Sequence, residues 1–413
     1  MGTMDGKKVL SVKCIRLDYG ADDPLLLEVD DDALAADCRG PEGVVGEAAA
    51  ELVAGALTAP AAGPPLESHV VPGDRVAIGL SGDVPQAAAI IKAISQRLVA
   101  AGIEPADITL LQAPPLDGTA SPLEVASAGV VATEFDPTVE PQTSYMAADE
   151  AGRAIHLARG LVDADVVVSI GQWGWDAACG GGSLEGELWP TFSRRTCRQE
   201  LVRSLATRGR RAVDAWKVSN QEATWQLGVC ANLRIVGGRG DTVAAAAFGL
   251  PDAAARRARK FAAGWRPEVR RTALLTIASL SNPRGGLATL LRAVAAAARV
   301  THPGGTICVA SRLAERPGLI FARWREGAPI DGLVREAVRT GDQSLISDAF
   351  QTRFFARALG ERRLVLLSDL DEATVEELEL GFAATPEVVE RLAHRAESVV
   401  VLHEADRMLP RVV

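Results

Sequence analysis

Short apolar runs of strand length alternate along the chain with stretches whose apolar positions recur every three or four residues, the signature of strands alternating with helices. Residues 8–15 and 25–29 are predicted to form an opening hairpin around the turn-like "DYGADDP". Residues 44–56 read as a helix and "APAAGPP" as a proline-rich connection. A strand at 74–81, an amphipathic helix at 85–101 and a strand at 107–113 then make a βαβ unit, which "DADVVVSI" (163–170) extends. "LRIVGG" and "TVAAAAFG" are weaker strands, followed by the helix "PDAAARRARKFAAG". Beyond the charged, proline-bearing "WRPEVRR" (265–271), the strands "TALLTIAS", "TICVAS", "RLVLLSD" and "SVVVLHEA" alternate with helices at 287–300, 347–358 and 372–395. The expected fold class is α/β: two α/β domains with mainly parallel sheets and a cleft between them. The first domain is placed at 1–268 and the second at 269–413, with the last strand free to return to the first.

Composition narrows the function classes. A chain of 413 residues is long for a single core. Its 44 basic and 53 acidic residues give a net charge of −9, which argues against a nucleic-acid or anionic-membrane partner. Cys14, Cys38, Cys179, Cys197, Cys230 and Cys308 include no CxxC pair and read as reduced thiols. With no apolar signal segment after the charged start, the expectation is a cytoplasmic protein.

Loops at the carboxyl ends of parallel strands are where open α/β sheets bind ligands. In "SGDVP" (81–85), Asp83 or Ser81 is expected to cap the following helix; the functional alternative is that Ser81, Gly82 and Asp83 hold an anion. The loop "GQWGWDAACGGGSLEGELWP" (171–190) has no Lys, Arg or His. Its Gly180, Gly181, Gly182 and Ser183 can cradle a phosphate, although the spacing matches neither a P-loop nor a dinucleotide fingerprint. Five of the seven tryptophans, Trp173, Trp175, Trp189, Trp216 and Trp225, fall in one region of a chain that is 4% aromatic. A packing cluster is the leading expectation, and a stacking wall for a ring-bearing ligand, formed by Trp173 and Trp175, is the alternative. His69, His156, His302, His394 and His403 lie outside every candidate loop and read as surface, helix or turn positions. No protein-held metal is therefore expected. Acid–base work would fall to carboxylates, with Asp83, Asp176 and Glu185 as candidates beside Asp117 and Glu187.

The order and wording of several segments resemble the nickel-dependent lactate racemase family, whose members use a nickel-pincer nucleotide. "DRVAIGLSGDVPQAAAIIKAISQRLVAAGIEPADITLLQA" is similar to that family's first βαβ unit. "ADVVVSIGQWGWDAACGGGSLEGELWP" stands where the family has a His-bearing loop and a Gly-Gly-Arg-Lys-Ser segment, and "AAAAFGLPDAAARRARKFA" resembles its Phe-Ala-Gly-Asp segment. "HPGGTICVAS" and "FQTRFFARALGERRLVLLSDLDEATVEEL" resemble segments of its second half. The resemblance implies a two-domain α/β fold and, for an enzyme, an isomerase of 2-hydroxy acids.

The family's functional residues do not carry over. Ser183, Leu184 and Glu185 follow Gly181 and Gly182 where the resemblance implies a cofactor-anchoring Lys. Pro114, Pro115 and Leu116 match the first catalytic His, Gly174 and Trp175 the second. Residues 191–199 contain no nickel-ligating His. In the second domain Arg292 takes up a region where the family has a Lys, and offers a carboxylate or phosphate clamp. The first reading is thus a lactate-racemase-like protein with a degenerate active site and no expected cofactor, binding a small anionic or nucleotide-like ligand in the cleft. The others are a non-catalytic interaction protein, as a homo-oligomer or with a protein partner, and an active racemase using displaced residues. The last needs a Lys near the glycine loop, and Lys217 is the nearest downstream.

Overall fold

The computed structural model describes residues 11–113, 130–149, 152, 154–183, 186–229 and 231–413. The chain opens with an antiparallel hairpin, β1 (Val12–Leu17) and β2 (Leu25–Asp30), followed by strand β3 (Leu34–Cys38). Contacts divide the chain into two compact units. Residues 11–40, Trp265–Leu333 and Gln351–Val413 form one, and Pro41–Gly264 with Val334–Phe350 the other. This division differs from a single cut after residue 268. The alternating apolar positions Ile15, Leu17, Leu25, Leu27 and Val29 give the hairpin one buried face, and that face shares a core with Ile277, Cys308, Val399 and Val401 from the other end of the sequence.

The N-terminal unit is built on six strands: β4 (Val76–Ser81), β5 (Ile108–Ala113), β6 (Val131–Glu134), β7 (Val166–Gln172), β8 (Ala231–Gly237) and β9 (Val243–Gly249). They lie in the order β9-β8-β7-β4-β5-β6, parallel except for the antiparallel β8–β9 pair. Val, Ile and Leu dominate β4, β7 and β8 because these strands are covered on both faces. On one face Ile78, Leu80, Val168, Ile170, Leu233 and Ile235 pack with helices α1 (Gly46–Thr58) and α2 (Ala87–Ala100) through Val53, Leu57, Ile90 and Ile94. Each such side chain, fully buried, contributes about 1.5–3 kcal/mol. Two helices not anticipated from the pattern, α3 (Arg195–Arg208) and α4 (Arg210–Gln226), follow the tryptophan loop. They are rich in Arg, Gln and Glu and carry a narrow apolar stripe, so their periodicity is faint. Helix α5 (Pro251–Phe261) packs on β8 and β9.

The C-terminal unit has a second six-stranded sheet, containing β10 (Ala273–Ser279), β11 (Thr301–Ala310), β12 (Arg363–Leu367), β13 (Gly381–Phe382) and β14 (Val399–Leu402). Its order is β13-β12-β11-β10-β14-β3, parallel throughout. Strand β14, expected as the last strand, thus lies inside this sheet, and a two-residue strand, Arg411–Val412, follows it and pairs with Glu268–Val269. Helix α6 (Leu287–Ala298) connects β10 to β11. The span expected as one helix at 372–395 is two, Glu372–Glu377 and Pro386–Arg395, with β13 between them. Glu379 is left-handed (φ 51°) and ends the first, and Pro386 fits the first turn of the second. Among the described residues no helix is long and apolar enough to cross a membrane.

Candidate functional site

In the N-terminal sheet the chain runs outward from β4 to β5 and β6, then returns to the other side of β4 with β7 and continues to β8. The topological switch point, where such sheets bind ligands beyond their carboxyl ends, lies between β4 and β7. Register places Ser81, Gly171 and Arg234 in one row across β4, β7 and β8, on the face opposite Leu80, Ile170 and Leu233. Gly171 leaves the middle of the row open, and the chain returns into that space. A Cβ on Gly171 would collide with the carbonyl of Gly186. Gly186 itself has φ 85° and lies so close to Gln172 that no side chain fits there.

Three groups pin the returning segment. The Ser81 hydroxyl donates to the carbonyl of Glu187 at 3.0 Å. Arg234, 4% exposed, donates through Nη1 to the Gly186 carbonyl and through Nη2 to Glu187 Oε2. Asn220 Nδ2, from α4, donates to the same Oε2 at 2.9 Å, while Asn220 Oδ1 accepts from the Trp189 amide at 3.2 Å. The expected capping role is not taken by Ser81 or Asp83: the residue before α2 is Gln86, in a left-handed conformation (φ 56°), and no side chain caps the helix. Gln86 instead ties Gly46 to Asp241, accepting from the Gly46 amide at 2.8 Å and donating to Asp241 Oδ2 at 2.6 Å.

The glycine loop forms a small ribbon in which Trp175–Asp176 pair with Gly181–Gly182. Asp176 accepts from the Cys179 amide at 2.9 Å and so closes the ribbon's turn, which gives this candidate acid a structural role. Gly180 sits at φ 67°, a conformation favourable to glycine. Arg210, the first residue of α4, reaches its carbonyl through Nη2 at 3.5 Å. Two turns further along the same helix, Lys217 brings Nζ to 3.6 Å from the position a Cβ on Gly181 would take. No hydrogen bond or ion pair holds the Lys217 amine among the described residues. The Trp173 ring lies beside Gly182, 3.5 Å from the corresponding Cβ position. The loop that contains no cation is therefore supplied with two by α4.

The tryptophans divide. Trp175, Trp189 and Trp216 are each 5% exposed. Trp189 stacks on Trp216 with centroids 4.5 Å apart. Trp175 donates from Nε1 to the Ala262 carbonyl at 2.9 Å. Trp173, half-buried, meets Trp175 edge-on at 4.7 Å. Trp225 is 77% exposed. Of the remaining candidates, Ser81 is fully buried, Gly82 is half-buried beside Gly186, and Asp83 is exposed. Ser183 donates its amide to the Gly174 carbonyl at 3.0 Å. Arg292 stands half-buried on α6 in the C-terminal unit. Leu184, Glu185, Cys230, Asp117 and the stretch 114–116 lie outside the described residues.

Sequence reasoning passed over Arg234 and Asn220, because a lone Arg in an apolar strand and an Asn in a polar helix carry no local motif. It also read His403 as a surface or helix position. His403 directly follows the buried strand β14, is 9% exposed, and pairs through Nε2 with Asp37 Oδ1 at 2.8 Å. Burial works to raise the Asp37 pKa, but the His403 hydrogen bond and charge, with the Arg39 guanidinium, hold it below its ordinary value.

The residues that could meet the nickel-pincer nucleotide implied by the family resemblance are few among those described. Among the described residues no three His, Cys, Asp or Glu side chains group as metal ligands. Cys197 is half-buried on α3, and none of the five histidines lies in the tryptophan loop. Among the described residues the amine at the glycine loop is that of Lys217, from α4.

The two mainly parallel sheets, their connections and the glycine loop between β7 and α3 define a lactate-racemase-like α/β fold. The lactate racemase apoprotein from Thermoanaerobacterium thermosaccharolyticum superposes with a TM-score of 0.74, covering 97% of this chain and 100% of that one at 14% identity. A Thermotoga maritima protein solved by a structural genomics consortium gives 0.64 at 12% identity, over 89% and 99%. No protein-family model matches the sequence, and no curated protein does. At these identities the likeness is one of fold.

Proposed function

We propose that this lactate-racemase-like protein has a degenerate active site and binds a small anionic or nucleotide-like ligand at the glycine loop of its N-terminal unit. The observation that carries this reading is the convergence of Arg210 and Lys217, from one helix, on the turn of Gly180, Gly181 and Gly182, with the Trp173 ring beside it. Two cations at a glycine turn suit a phosphate or carboxylate, and the indole offers a face to a base or other ring. The standard chemistry of nickel-dependent racemases is not part of this reading, because the positions that match the family's catalytic histidines hold Pro114, Pro115 and Leu116, and Gly174 and Trp175, and no group of three metal-ligating side chains occurs among the described residues. Titration with adenosine monophosphate, and separately with lactate, followed by tryptophan fluorescence, tests it. A saturable change is expected with at least one probe, weakened about tenfold by Arg210→Ala or Lys217→Ala, the worth of one charged hydrogen bond. Identical isotherms for the wild type and the double variant would remove the proposal.

The Lys217 amine also favours a second reading, an active 2-hydroxyacid racemase or epimerase whose cofactor anchor has moved from the loop to α4. Its signature is a covalent mass increment on chain made in cells that synthesise the pincer nucleotide, absent from Lys217→Ala. Equal, unmodified masses for both proteins would exclude it.

A further inference from the structure

The segment of Gly186 and Glu187 fills the place where an α/β sheet of this topology receives its ligand. It lies at the switch point between β4 and β7, over Gly171, and is held by groups suited to a carboxylate. Arg234 and Asn220 both donate to Glu187 Oε2, and Ser81 donates to the carbonyl of the same residue. Arg234 stands in a strand interior at 4% exposure, and a charge so placed is costly unless it is paired. The polar capacity around it exceeds what Glu187 uses. Arg234 Nε and Asn232 Oδ1, on side chains more than nine-tenths buried, have no hydrogen-bond partner among the described residues, and neither has Trp189 Nε1. Asn232 lies two residues before Arg234 on the same face of β8, and Trp189 lies two residues after Glu187. Buried polar groups in native proteins are nearly always partnered, so the unpartnered Nε of the guanidinium that holds Glu187 is a donor which that carboxylate does not use.

We propose that Asn220 and Arg234 form a carboxylate-binding cradle that the chain fills with the side chain of its own Glu187, while Ser81 holds the backbone beside it, and that a small free carboxylate enters the cradle when the Glu187 side chain is removed. Glu187 is then an intramolecular competitor. Its tether gives it a high effective concentration, which excludes weakly binding free carboxylates from the wild-type protein. No metal is involved, and the cradle is distinct from the glycine turn held by Arg210 and Lys217, so this inference does not rest on the function proposed above.

The test is rescue of Glu187→Ala by formate and acetate, read as thermal midpoint against sodium chloride of equal ionic strength. Removing one partner of this partly buried ion pair is expected to lower the midpoint by roughly 5 °C. Formate or acetate should restore part of that loss saturably, while chloride should not. Wild type and Glu187→Gln, whose cradle stays filled, should show no carboxylate-specific shift. Glu187→Ala combined with Arg234→Met should lose the response. If Glu187→Ala is insoluble, refolding it in formate but not in chloride is the equivalent expected result. Failure of formate and acetate to shift or recover the variant, or an equal shift in wild type, overturns the proposal.

Discussion

Asp37 and His403 show how one pair of side chains sets a pH dependence. The folded-state pKa of Asp37 is lowered, so the unfolded chain takes up the proton more readily than the folded one. Its stabilisation is therefore present above the ordinary carboxylate value, about 4, and is lost as pH falls through the lowered one. Chemical denaturation across this range should show wild-type stability falling with acid, and Asp37→Asn should flatten that slope; parallel slopes would contradict the assignment. The thiols give a second residue-level expectation. Burial pushes both Cys38 and Cys308 up to about 12, with the Asp37 charge adding to the rise at Cys38. Iodoacetamide at neutral pH followed by peptide mapping should modify the exposed Cys14 and leave Cys38 and Cys308 untouched until the chain is unfolded.

Among the elements, those with strong apolar runs were legible in the sequence: β4, α2, β5, β7 and four strands of the second sheet, β10, β11, β12 and β14, appear close to their expected places, whereas the edge strands β3 and β13 were not anticipated. Helices α3 and α4 were not, because a stripe of residues such as Leu201, Leu205, Val213 and Trp216 among many charged neighbours gives a faint period. This gap hid the site. The loop at 171–190 read as cation-free because its cations stand on α4, a helix whose position only tertiary packing reveals. Glu187 could be named as a carboxylate, but its partners Arg234 and Asn220 are 47 and 33 residues away. Strand β7 carries the sharpest expectation at this scale. Gly171→Ala places a methyl group against the Gly186 carbonyl and is expected to cost about 1–3 kcal/mol through overpacking, read by urea denaturation. A neutral result would mean that the segment of Gly186 and Glu187 is not held against the sheet.

At the scale of the molecule, the N-terminal residues of the chain complete the C-terminal unit. The edge strand β3 pairs with β14, and the hairpin buries its apolar face in that unit's core. A fragment beginning at residue 265 is therefore expected to aggregate, with β14 as an open edge and Ile277, Val399 and Val401 uncovered. Adding residues 1–40 through a linker should restore a soluble product on size-exclusion chromatography. Equal solubility of both fragments would show that the hairpin and β3 are dispensable.

The central claim, a lactate-racemase-like fold that binds a small anion at a cation-flanked glycine loop without the family's covalent nickel group, is tested most directly by mass spectrometry. The protein would be made in cells that synthesise the pincer nucleotide, then measured under native and denaturing conditions with metal analysis alongside. The account predicts a denatured mass equal to the bare polypeptide, no stoichiometric nickel, and a native adduct that disappears in Arg210→Ala/Lys217→Ala. A covalent increment with one nickel per chain would contradict it and make Lys217 the first residue to replace.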